Sequence, residues 1–129
     1  MLACMQAAVS EYQQLVLEIT CRNILRSTAF YRTLGFELVR AEEHFAELSW
    51  GGRLLFLDEK PSYVPPQIPA GNLRVMVPDV DAIWERCLQL ELPVYSAIEN
   101  RYYGLRDFTV MDPDGFGVRF ATEIPALTK

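Results

Sequence analysis

Histidine, basic charge, paired cysteines and long apolar runs are all scarce in this chain, and each scarcity excludes something. Lys and Arg number 12 against 17 Asp and Glu, which leaves a net charge of −5 and a pI near 4.8. A nucleic-acid partner rewards a basic surface, so none is expected. No apolar run approaches the roughly 18 residues a membrane span needs, so no membrane partner is expected either. The start, "MLACMQAAVSEYQQ", lacks a basic stretch and a cleavage site, which points to the cytoplasm. The three cysteines, Cys4, Cys21 and Cys87, have an odd count and no paired spacing, so no disulfide framework is expected. The single histidine, His44, cannot by itself build a metal centre, and its place at a strand start reads as surface or edge.

What is present is a core. Half of the 129 residues are hydrophobic, enough for one ordinary domain. The stretch "RDFTVMDPDGFGVRF", Arg106–Phe120, is the most informative. Pro113 presets the turn, Asp112 can bond its own backbone and Gly115 accepts a positive φ, so an antiparallel pair joined by a tight turn is expected. With a period of two, Val118 and Phe120 share one face while Gly117, Arg119 and Ala121 share the other. A guanidinium therefore looks onto whatever that second face encloses.

The same order of periods occurs twice. "LVLEITC" alternates as a strand. Asn23 can cap a helix with apolar Ile24, Ala29, Phe30 and Leu34, and Gly35 can end it. "FELVR", "HFAELSW" and "RLLFLDE" follow as three strands, with Gly51-Gly52 as a hairpin signal. After the proline-rich "KPSYVPPQIPAG" come the strand "NLRVMV" and a helix opened by Asp79 or Asp81 with Ile83, Trp84, Cys87, Leu88 and Leu90. "PVYSAI", "LRDFTVM" and "GVRFATE" complete the second set. The fold class is therefore α+β: duplicated βαβββ modules over 15–58 and 71–123 forming a curved, mostly antiparallel sheet, with helices on its outer face. Residues 59–70 read as a linker, 1–14 as an N-terminal extension (a short helix or disordered) and 124–129 as a tail.

The residues "RSTAFYRTLGFELV" and "RDFTVMDPDGFGVRF", at their spacing, resemble the vicinal oxygen chelate superfamily of glyoxalase I, extradiol dioxygenases, fosfomycin-resistance transferases and bleomycin-resistance proteins. The resemblance implies the glyoxalase/bleomycin-resistance-like fold and a homodimer. In metal-using members it implies a divalent cation held by strands one, four, five and eight. Those positions fall on Val16, Phe56, Asn72 and Arg119 here, none a usual ligand, so no metal and no cofactor is expected. That departure is shared with bleomycin-resistance proteins, which bind a drug without acting on it.

Strand parity places Leu15, Leu17, Ile19, Leu55, Leu57, Leu73, Val75, Val77, Phe108, Val110, Val118 and Phe120 under the helices. The opposite parity sends Glu18, Phe56, Asn72, Arg74, Asp107, Thr109 and Arg119 toward a cleft, with Trp50 at a rim or wall. Tyr102 and Tyr103 stand on a loop that can overhang it. Three readings compete for the charges: Glu18 and Arg119 neutralise each other, Arg119 or Arg74 binds an anionic or carbonyl group, or Glu18 or Asp107 serves as a general base. The functional expectation is a metal-free small-molecule-binding protein, taking a drug-like, aromatic or cationic compound. The alternative is a metal-independent lyase or isomerase, or a glyoxalase/dioxygenase-like enzyme should a metal bind.

Overall fold

A computed structural model describes residue 11 and residues 13–125. The expected N-terminal helix or disorder, Cys4, and residues 126–129 of the tail lie outside the described residues. The chain divides into two compact units, the first ending at Val64 and the second beginning at Pro65.

In the first unit, strand β1 (Leu17–Cys21) is followed by helix α1 (Ile24–Leu34) and strands β2 (Glu37–Ala41), β3 (Phe45–Trp50) and β4 (Arg53–Glu59). The sheet order is β1-β4-β3-β2. The last three strands meander antiparallel, and β1 lies parallel to β4 with Leu17 beside Leu55. The helix starts because the Asn23 side chain accepts from the Arg26 amide at 3.0 Å. A second cap, this one a carboxylate, arrives from far along the chain: Glu59 Oε2 accepts from the Ile24 amide at 2.7 Å. Gly35 ends the helix at φ 118°, and a Cβ there would lie 3.0 Å from the Trp50 ring.

The second unit repeats this plan. Strand β5 (Asn72–Met76), helix α2 (Val80–Gln89) and strands β6 (Val94–Asn100), β7 (Leu105–Met111) and β8 (Gly117–Glu123) give the order β5-β8-β7-β6. Strand β5 runs parallel to β8, and the rest is antiparallel. Among the described residues, each unit thus holds its own four-stranded mixed sheet and one helix, as the duplicated α+β reading expects.

Burial follows strand parity with few departures. Ile19, Leu55, Leu57, Val75, Val77, Phe108, Val110, Val118 and Phe120 are all buried. Phe108 packs between Trp84 on α2 and Phe120 on β8, with ring centroids 5.0 and 5.6 Å away. Leu15 and Leu17 do not join this core. Leu15 is 91% exposed because it precedes the strand, and Leu17 is the first residue to find a partner on β4. The inward face of α1 is Ile24, Ser27, Tyr31 and Leu34, so Ala29 is exposed and Phe30 only partly covered. On α2 and its C-cap, Leu88 and Leu90 are exposed while Val80 and Cys87 are buried. Burial also raises the Cys87 thiol to about 11.

His44 is exposed, as an edge residue should be, but it is not idle. Its Nδ1 lies 2.6 Å from Glu59 Oε1, the carboxylate that caps α1 through its other oxygen. The hydrogen bond to Glu59 raises His44 above its usual 6.5, and the same bond, with that from Ile24, lowers Glu59 below its usual 4.5. A raised histidine stabilises fully below about pH 6.5 and loses that contribution as pH rises through its folded value. A lowered glutamate stabilises above about pH 4.5 and loses its contribution as pH falls through its own folded value. Both contributions coexist between those limits. The sole imidazole signal in a proton NMR titration is expected to have its midpoint above 6.5. It should fall back toward 6.5 in Glu59→Gln.

Candidate functional site

The second unit carries a concave pocket of about 560 Å³. Its floor is the face of the sheet opposite α2, where the cross-strand register sets residues in rows. One row runs Arg74, Arg119, Thr109 and Ser96 across β5, β8, β7 and β6. The next places Asn72 beside Gly117 and Gly117 beside Met111. Tyr95, Glu99 and Asn100 of β6 and the loop Arg101–Tyr103 form one wall, with Pro69 and Gly71 on another side.

Gly117 makes the floor possible. A Cβ there would come within 3.0 Å of the Asn72 Cβ and 3.2 Å of the Thr109 Cγ2. The Asn72 Cβ is fixed to its strand backbone, and the Thr109 Cγ2 can move only by changing rotamer. Gly117→Ala is expected to cost about 1–3 kcal/mol through overpacking. Urea unfolding would measure the loss, and an unchanged midpoint would show that β5 yields freely.

The wall is organised by Asp107, which is 2% exposed. Its Oδ1 accepts from Arg101 Nε at 2.7 Å, and its Oδ2 accepts from the Tyr103 hydroxyl at 2.5 Å. Arg101 also donates to Glu99 Oε1 at 2.5 Å, to Ser96 Oγ at 2.9 Å and to the Ala97 carbonyl at 2.8 Å. A turn closed by Arg101 N to the Leu105 carbonyl, 2.7 Å, folds this arginine back over Asp107. The hydrogen bond to Asp107, followed by burial, raises the Tyr103 hydroxyl above its usual 10.

Arg119 behaves differently. Its Nε is buried and has no hydrogen-bond partner among the described residues. An unmet buried donor is costly, so it marks a place where an acceptor is wanted.

Of the residues singled out from sequence, Asn72, Tyr102, Tyr103, Asp107, Thr109 and Arg119 come together here. Arg74 lies beside Arg119 on the same face, exposed, and does not line the pocket. Glu18, Trp50 and Phe56 belong to the first unit. Glu18 is exposed and in register with Phe56, whose ring meets Phe45 at 5.2 Å. Trp50 stands on the core face of β3, against Phe36 at 5.1 Å and under the Gly35 turn, so it is packing and not a pocket rim. Arg101, Glu99 and Ser96 were missed from sequence. The available signal was an Arg six positions before an Asp, bracketing a short glycine-containing turn.

The positions where the resemblance would hold a metal carry a valine, a phenylalanine, an amide and a permanent cation. These side chains do not fit a divalent cation. Among the described residues no three His, Cys, Asp or Glu side chains gather as a ligand set.

Two βαβββ units of this kind define a recognisable class. The chain belongs to the glyoxalase/bleomycin resistance protein/dioxygenase superfamily, whose family model matches residues 13–120. Solved structures with the same fold include a glyoxalase/bleomycin resistance protein/dioxygenase from Nocardioides, with a TM-score of 0.73 and 19% identity over 98% of this chain and 97% of that one. A lactoylglutathione lyase from Agrobacterium tumefaciens gives 0.69 and 20% over 84% and 91%. A bleomycin-binding protein complexed with bleomycin gives 0.70 and 20% over 86% and 98%. No curated protein matches the sequence.

Proposed function

We propose that this protein binds a small, flat organic molecule in the second unit's pocket, without a metal and without transforming it. The carrying observation is the state of Asp107. Both of its oxygens are engaged, by a guanidinium and a phenol, so the buried carboxylate is spent on building the wall. The pocket volume falls in the range of ligand sites, and Tyr95, Tyr102 and Tyr103 offer aromatic faces. The absence of usual metal ligands at all four family positions supports a metal-free mode. The bleomycin-binding neighbour supports drug-like ligands, and the family resemblance supports a homodimer.

The test is a thermal-shift screen of flat aromatic compounds, followed by recovery of each hit after prolonged incubation. Binding with the compound recovered unchanged is expected. Protein-dependent conversion would overturn the reading, as would a stoichiometric, stabilising divalent metal. Light scattering at micromolar concentration should report twice the 14.8 kDa chain mass.

A further inference from the structure

The sign of the ligand follows from which pocket charges are already matched. Every carboxylate at the site is engaged: Glu99 and Asp107 both pair with Arg101. A cationic ligand would find no free carboxylate there. The unmatched charges are Arg119 in the pocket and Arg74 beside it. Arg74 and Arg119 are in register on adjacent parallel strands, on one face, with backbones about 4.8 Å apart. Neither has an ion-pair partner among the described residues, and the Arg119 Nε is a buried donor with nothing to receive it. Two like charges held side by side are mutually unfavourable unless an anion lies between them. Asn72 and Thr109, on either side of Arg119, add an amide and a hydroxyl.

We infer that the pocket takes an aromatic oxyanion, its carboxylate or phosphate oxygens on Arg119 and its ring toward the tyrosines, with Arg74, exposed beside Arg119, adding a second positive charge. This rests on the binding reading above and narrows it, since drug-like cations are disfavoured. A forked guanidinium suits two oxygens of one group, which a lysine would not match.

The experiment titrates ¹⁵N-labelled protein with 2-naphthoate, 2-naphthyl phosphate, 2-naphthamide and 2-naphthylmethylammonium, following arginine Nε–H and backbone amide signals. The Arg119 Nε–H signal is expected to move saturably with at least one oxyanion, at roughly tenfold higher affinity than with the amide or the ammonium. The tighter of the two oxyanions names the head group. Arg119→Gln should abolish that preference. Arg74→Gln, at an exposed position that leaves folding undisturbed, should weaken oxyanion binding several-fold. Equal or stronger binding of the ammonium, with Gly117 and Tyr103 amides shifting, overturns the anion inference while the binding reading stands. No shift at any pocket residue with any of the four overturns the inference and counts against the pocket itself.

Discussion

Asp107→Ala is expected to remove about 2–4 kcal/mol of stability. The carboxylate is buried and holds Arg101 and Tyr103 at once, so its removal leaves the Tyr103 phenol without its acceptor and Arg101 with only Glu99, Ser96 and the Ala97 carbonyl. Against a typical total of about 5–15 kcal/mol, that is a large fraction. Urea unfolding followed by tryptophan fluorescence would measure it, with the slope unchanged if only the native state is affected. Tyr103 supplies a second readout. With the hydrogen bond and charge of Asp107 gone, its ultraviolet titration should move down toward 10. A loss under about 1 kcal/mol would mean that the network is solvated and holds nothing in place.

Asp112→Ala is expected to cost about 2–3 kcal/mol, while Asp112→Asn should cost about 1 kcal/mol or less. The contrast follows from the atoms used. Asp112 Oδ1 alone accepts from both the Asp114 amide, at 2.8 Å, and the Phe116 amide, at 2.9 Å. Asparagine retains that oxygen and alanine does not. The same residue closes the turn through its backbone, accepting from Gly115 at 3.0 Å and donating to the Phe116 carbonyl at 2.8 Å. Equal losses in the two variants would shift the explanation from the oxygen to the charge. Because Arg119 lies two residues into β8, loosening this turn should also blunt any preference for an anionic ligand.

Much of the fold was legible from periodicity, because burying one sheet face imposes a period of two and a helix imposes one near 3.6. Val118 and Phe120 against Arg119 were assigned correctly from that rule alone. It failed at Leu15 and Leu17, since alternation does not reveal where a neighbouring strand begins, and β4 meets β1 only from Leu55 onward. On α1 the eye takes Ala29 and Phe30 for core, yet Ser27 and Tyr31 are the residues facing in, their hydroxyls notwithstanding. The site was half legible. Parity could place Asn72, Asp107, Thr109 and Arg119 on one surface. It could not show that Arg101 turns back to claim Asp107, because that depends on a loop hydrogen bond between Arg101 and Leu105 and not on any repeat.

The parallel closure of each sheet has a kinetic consequence. The first strand of a unit waits for its last: Leu17 pairs with Leu55 and Leu73 with Val118, each about forty positions distant. The intervening meander can zip locally, but the first strand must remain an unpaired edge until the fourth has formed. Loop closure of that length, and not hairpin formation, is then the slow event in either half. Substitutions in β1 or β5 should chiefly speed unfolding, whereas those in the β3–β4 and β7–β8 hairpins should slow folding.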